Sequence, residues 1–318
     1  QVRPVHGYPQ LLLEALRAAA PEGINEPTVV VLTPGVHNSA YFEHALLARM
    51  MGVELVEGSD LFCESGQVKA RTTKGAQPVH VIYRRVDDDF LDPMYFRPDS
   101  VLGVAGVLAV AAAGGVTIAN AVGNGVADDK LICTYVPDLI RYYLDAEPIL
   151  AGVDTWRLEN PKDRVEVLDR LEEMVVKPVD GSGGKGVVIC PKASPKELDI
   201  LRAAILEEPR NWIAQPVVQL STVPTMIDGE LGARHVDLRP FAVNDGESVK
   251  VLPGGLTRVA LGEGQLIVNS SQGGGSKDTW VLMDEGVGSQ PRAQFWGPPD
   301  MTDERDMFGV VATQSQES

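Results

Sequence analysis

The chain is short of positive charge, of cysteine and of long apolar runs. Its 28 Lys and Arg stand against 44 Asp and Glu, a net charge of −16. A surface this acidic repels a nucleic-acid backbone, and the basic residues do not cluster, so no nucleic-acid partner is expected. An anionic ligand would need a local cationic pocket. Three cysteines, Cys63, Cys133 and Cys190, are too few and too scattered for a disulfide framework or a metal site. Each follows an apolar pair, so buried filler is the expected role. No run of ~18 apolar residues occurs, so no membrane span is expected. The apolar stretch 101–113 is too short and stops at Gly114-Gly115. No signal peptide is visible, and a cytoplasmic location is the expectation. The chain opens on Gln1 rather than Met, which reads as a fragment or a processed product.

What is present is a globular composition, 44% hydrophobic and 23% charged, over a length that suits one large domain or two ordinary ones. Residues 28–32 form a β-branched run ending at Thr33-Pro34-Gly35, read as a buried strand. A helix over 40–51, strands at 53–56 and 79–83, a helix over 101–113 and a strand at 116–118 follow. This alternation predicts an open parallel α/β pre-domain over residues 1–124, with ligands favoured beyond the carboxyl ends of its strands. From 125 the texture changes to α+β with antiparallel sheets. Helices are expected over 129–144, 163–174 and 196–206, the last started by Ser194-Pro195. A strand is expected at 212–218. Short strands between 235 and 280 are separated by turns such as Asn244-Asp245-Gly246 and Pro253-Gly254-Gly255. Residues 284–318 lose periodicity and read as a disordered acidic tail.

The strongest local signal is Lys177-Pro178-Val179-Asp180-Gly181-Ser182-Gly183-Gly184-Lys185-Gly186-Val187. Four glycines in six positions let backbone N–H groups approach an anion, and Lys177 and Lys185 add charge. Flanking β-branched runs make the loop a hairpin-like lid. It is neither a Walker loop nor a dinucleotide fingerprint, both of which open a helix. A flexible hairpin without a ligand is the plain alternative. Further on, Asp237 and Arg239 share one face of a strand. They either pair with each other or bind a phosphate or carboxylate, for which the guanidinium fork is suited. Arg258 is delivered by another strand, and Asn269-Ser270-Ser271-Gln272-Gly273-Gly274-Gly275 offers hydrogen bonds to an oxyanion, or is merely a polar linker. Asp129-Lys130 stands at a helix start, and Gln215-Pro216-Val217-Val218 is a strand able to face an adenine edge. The run Asp87-Asp88-Asp89 after Arg84-Arg85 is a solvated acidic loop or a contact for a cationic amine.

Taken in order, these pieces resemble the ATP-grasp superfamily of carboxylate–amine ligases, and within it the circularly permuted branch near glutathionylspermidine synthase. The resemblance spans roughly residues 1–283. It implies an ATP-grasp nucleotide-binding region over 125–283 and an ATP-dependent ligase. Attack of a carboxylate on the γ-phosphate would give an acyl phosphate that an amine captures. Lys130 and Lys177 would contact ATP, Gly181, Ser182, Gly183, Gly184, Lys185 and Gly186 would close over the phosphates, and Gln215 through Val217 to Val218 would present the hinge to adenine. Arg239, Arg258 and Asn269 would act on the transferred phosphoryl group. Arg85, Asp237, Ser270, Ser271 and Gly274 would meet the peptide-like or small-molecule substrates. The family also uses Mg²⁺ held by an Asp and a Glu-x-Asn element. That element is not found: Glu159-Asn160 lacks the spacer, so the metal ligands are expected upstream of Gln1. The chain alone is therefore expected to bind nucleotide weakly and to turn over slowly or not at all. The rival readings are a small-molecule kinase on the same fold, a nucleotide-binding scaffold, and a partner-binding module acting through the acidic tail. Substrate identities and oligomeric state are not legible.

Overall fold

The computed structural model describes residues 1–180, 184–268 and 273–283. Residues Arg3–Val281 form one compact unit. In the second unit, Val2 bridges Leu282 and the Met283 amide donates to the Gln1 carbonyl.

The first elements are α1 (Tyr8–Ala18), β1 (Val29–Leu32), α2 (Tyr41–Met51) and β2 (Glu54–Val56). An antiparallel meander follows: β3 (Leu61–Glu64), β4 (Gln67–Thr72) and β5 (Gly75–Val79). Then come β6 (Val81–Arg84), the single turn α3 (Asp88–Leu91), α4 (Val107–Ala112) and β7 (Thr117–Ile118). The strands β2-β1-β6-β7 make a four-stranded parallel sheet. Its pleat explains the unbroken apolar runs. Val30, Leu32 and Ile82 join one core with α4 and the meander, while Val29, Val31 and Val81 join another with α1 and α2. A strand buried on both faces has no polar alternation to show.

The expected helix over 101–113 is shorter, starting at Val107. Gly103 lies so close to the Phe90 and Leu91 carbonyls that a Cβ would clash, and Gly106 adopts φ +82°. The buried Asp92 carboxylate accepts from the amides of Met94, Gly106 and Leu108, which fixes the helix start.

The chain then passes through turns at Asn124–Asp128 and Ile132–Tyr135 into α5 (Val136–Leu144), where Pro137 sits in the first turn. The expected helix from 129 is thus split. Next are β8 (Trp156–Arg157), α6 (Pro161–Asp169), β9 (Met174–Pro178), β10 (Val188–Ile189), α7 (Pro195–Glu207) and β11 (Trp212–Pro216). The helix expected to 174 ends at Asp169, because Met174 already pairs in β9. Strands β10-β9-β11-β8 form an antiparallel sheet. Its inner face, Met174, Val176 and Ala214, packs on Val167 of α6 and on Leu201 and Ile205 of α7. Ser194 and Glu197 make a capping box at the start of α7, as the Ser-Pro signal predicts.

The last sheet is an antiparallel meander of β12 (Thr222–Ile227), β13 (Glu230–Asn244), β14 (Val249–Val259) and β15 (Gly275–Trp280). Asn244-Asp245-Gly246 is the expected turn, held by Asp245 accepting from the amides of Glu247 and Ser248. Pro253-Gly254-Gly255 is not a turn but lies inside β14. Those glycines make room instead: a Cβ on Gly254 would meet Val5 and one on Gly255 the Arg239 carbonyl. Cys190 is buried and Cys63 half-buried, but Cys133 is exposed, so it is not core filler. Among the described residues, no helix is long and apolar enough to cross a membrane.

Candidate nucleotide site

Strand alternation decides which side chains face the site. Met174 and Val176 of β9 point into the core, so Val175 and Lys177 emerge on the other face. In β11, Ala214 points inward, and Ile213 and Gln215 share the face of Lys177. Lys177 Nζ donates to Gln215 Oε1 at 2.6 Å. Burial pushes the Lys177 ammonium below the ordinary lysine value, and the charge of Lys130 pushes the same way. Two cations therefore converge on one region of an acidic protein.

Lys130 reaches that region by three ties. Its amide donates to the Val179 carbonyl at 2.9 Å. Next to it, Leu131 packs with Val179 and Ile213. On the other side Asp129 pairs with Arg210 at 2.8 Å and caps the Leu131 amide. The hydrogen bond from Arg210 holds the Asp129 carboxyl below its usual range.

A cleft of about 280 Å³ opens on this face. Val175, Val187, Ile189, Val217 and Val268 form an apolar slot, and Lys177, Gln215, Asp237 and Arg239 form its polar part. The strands on either side of the glycine-rich segment, β9 and β10, pair antiparallel, with Val188 opposite Val176. Gly184 lines the cleft, and Gly184 and Gly186 hold φ of +78° and +72°, which favours glycine. In the last sheet, Asp237 stands opposite Arg258. Arg239 engages Asp237 through two contacts, Nη2 at 3.0 Å and Nε at 3.3 Å. The sequence left open whether these two pair or bind an anion. They pair, yet Arg239 still lines the cleft and keeps donors to spare.

Other sequence candidates lie apart. Lys185 is exposed and absent from the cleft lining. Arg85 is exposed after β6, its guanidinium 5.9 Å from the Tyr83 ring centroid, and does not line the cleft. Gly274 precedes β15, beside the Val259–Gly275 pair that ends the ladder. Gly181, Ser182, Gly183, Asn269, Ser270 and Ser271, and the tail 284–318, lie outside the described residues.

For magnesium, the described residues do not fit. They contain no group of three or more His, Cys, Asp or Glu side chains that could hold a metal. Among the described residues, Asp237 is the one carboxylate lining the cleft, and it is committed to Arg239. Asn160 accepts from the Lys162 amide as the cap of α6, and Glu159 lies 4.0 Å from Arg210. Three contributors were not read from the sequence: Thr155, the Asp129–Arg210 pair, and the wall at Leu266-Ile267-Val268. Thr155 ends the irregular stretch Ala151-Gly152-Val153-Asp154-Thr155, and only strand register brings it beside Gln215.

The sequence model of the family described as "Circularly permuted ATP-grasp type 2" matches residues 1–260. The chain belongs to this family. Among relatives, it is 63% identical over 282 residues to "Uncharacterized protein Rv2411c" of Mycobacterium tuberculosis, covering 89% of this chain and 51% of that protein. It is 49% identical over 277 residues to "Putative glutamate--cysteine ligase 2-2" of Frankia casuarinae, covering 86% of this chain and 32% of that protein. The chain spans about half the length of the first of these relatives. A solved structure, the ATP-grasp ligase PsnB with a minimal precursor, aligns at 14% identity and a TM-score of 0.36, over 76% of this chain and 88% of that one. That score is too low to add to the sequence match. The circularly permuted ATP-grasp assignment agrees with the mixed architecture, a parallel sheet followed by antiparallel ones.

Proposed function

We propose that this region binds ATP and serves an ATP-dependent ligase that joins a carboxylate to an amine. The observation that carries the reading is the pairing of an apolar slot with convergent cations, Lys177, Lys130 and Arg239, beside a glycine-bearing hairpin. The slot suits a flat, apolar base. Its walls offer no side-chain hydrogen bond, so backbone groups along 215–218 read the base edge. Lys177 and Lys130 neutralise the phosphates, and the segment with Gly184 and Gly186 closes over them.

Arg239 and Arg258, on neighbouring strands, stabilise charge on the phosphoryl group in transfer. A substrate carboxylate oxygen attacks the γ-phosphorus and ADP leaves. An amine nitrogen then attacks the acyl carbon, phosphate departs, and the nitrogen loses a proton. Positioning and electrostatics carry such a reaction. No step is assigned to a metal, since the described residues do not make its site. The Frankia casuarinae relative named "Putative glutamate--cysteine ligase 2-2" is consistent with this chemistry, and the match covers 32% of that protein. The division near residue 124 into a pre-domain and a nucleotide-binding region is part of the same reading.

Titration calorimetry with ATP, against Lys177→Ala, tests the binding claim; equal affinity in the two proteins refutes it. Hydroxylamine trapping tests the chemistry. Hydroxamate formation that depends on ATP and a carboxylate supports the ligase, whereas stable phosphorylated product without hydroxamate supports a kinase.

A further inference from the structure

We propose that Thr155 is a positioning residue that aims the Lys177 ammonium into the cleft through Gln215. The inference rests on the nucleotide reading above and adds to it a residue outside the cleft lining.

The three side chains follow from register. In the β9–β11 pairing Lys177 is opposite Ile213 and Val175 opposite Gln215, so Lys177 and Gln215 are diagonal neighbours on one face. In the β11–β8 pairing Trp156 is opposite Ala214, which brings Thr155, one residue earlier, beside Gln215. A chain of hydrogen bonds runs along this row. Lys177 Nζ donates to Gln215 Oε1 at 2.6 Å, and Gln215 Nε2 donates to Thr155 Oγ1 at 2.9 Å. The Thr155 hydroxyl then donates to the Val153 carbonyl at 2.8 Å.

The direction of this chain is fixed at both ends. An ammonium only donates, so the amide oxygen of Gln215 must face Lys177. At the other end, Thr155 spends its one proton on Val153 and can only accept from the amide nitrogen. A rotated amide would set NH₂ against the ammonium and lose both bonds. Thr155 thereby locks the orientation of Gln215, and Gln215 holds a long, rotamer-rich lysine stem. The Gln215 side chain is engaged at both ends, which leaves base recognition to the backbone.

The test uses the full chain as wild type, Thr155→Val, Thr155→Ser and Lys177→Ala. ATP and adenosine affinities are measured by calorimetry. Lys177 accessibility is read separately, as its acetylation rate with acetic anhydride by peptide mass spectrometry. Thr155→Val is expected to weaken ATP about fivefold, the scale of the one neutral hydrogen bond that Thr155 accepts from Gln215. Adenosine affinity stays unchanged, Lys177 acetylation accelerates several-fold, and Thr155→Ser restores wild-type values. Wild-type ATP affinity and acetylation in Thr155→Val overturn the proposal. So does equal loss of ATP and adenosine, or failure of Thr155→Ser to rescue, since both describe a packing role. Faster acetylation in Thr155→Val alongside wild-type ATP affinity in Lys177→Ala supports the hydrogen-bond chain and sinks the nucleotide reading alone.

Discussion

Arg84 and Arg85 are adjacent and identical in type, yet the structure assigns them opposite fates, which yields a sharp stability prediction. The Arg84 side chain is 6% exposed and spends its guanidinium on backbone. Nε donates to the Asn120 carbonyl at 2.8 Å, Nη1 to Val86 at 2.6 Å and Nη2 to Ala121 at 3.1 Å and to Asn124 Oδ1 at 3.4 Å, beside an ion pair with Asp88. Asn120 returns the contact, donating to the Arg84 carbonyl at 2.8 Å. This clamp ties the end of β6 to the segment after β7. Arg84→Met keeps most of the buried stem but strands the carbonyls and the Asp88 charge. Removing one partner of a buried pair costs about 3–5 kcal/mol. Asp88 is partly exposed and recovers some hydration, so the lower end, about 3 kcal/mol, is expected. Arg85→Met removes an exposed side chain and should stay within about 0.5 kcal/mol of wild type. Urea unfolding measures both, and an unchanged slope shows that stability alone has moved. The reasoning fails if Arg84→Met lies within about 1 kcal/mol of wild type, or if the two variants are equally destabilised.

Further outcomes follow from the site and the turns. Gly186→Ala places a side chain at φ +72°, where its Cβ meets Pro178 Cγ at 3.0 Å. A left-handed residue with a Cβ costs about 1–2 kcal/mol, so ATP should weaken about five- to thirtyfold with adenosine little changed, as competition binding will show. Asp245 has a carboxyl held down to about 2 by the amides of Ser248 and Glu247. Its folded value is depressed, so its contribution is full above the ordinary 3.8 and lost as pH falls toward about 2. Asp245→Asn should flatten that part of the acid denaturation curve, and an unaltered curve refutes the link. Lys177 has a lowered value, so its charge in the free protein disappears below the usual 10.5 as pH rises. The phosphate-dependent part of ATP affinity should fall in that window and persist to higher pH in Lys177→Arg, measured by titration across alkaline pH. Maleimide should label the exposed Cys133 quickly and the buried Cys190 slowly in the native protein, a rate difference read by mass spectrometry.

Much of this protein is legible in its residue order. The run at 28–32 and the Val175-Val176 flank read as strands because burial of both faces, or a β-branched pair, leaves a local signature. The glycine-rich segment after Lys177 announces a tight connection because positive φ, as at 184 and 186, favours glycine. The Ser194-Pro195 start of α7 is equally local, since a cap needs residues three apart and nothing more. Those signals, in their order, also resemble the family to which the chain belongs. What the order of residues left undecided was every question of partnership across the sheets. Arg84 against Arg85, strand against turn at Pro253-Gly254-Gly255, and Asp237 paired with Arg239 all depend on neighbours distant in sequence. Thr155 is the clearest case: it acts on Lys177 only because two strand registers lay Thr155, Gln215 and Lys177 in one row. Local chemistry sets which backbone shapes are available, but hydrogen-bond direction, burial and charge pairing are properties of residues brought together, and those only the tertiary structure decides.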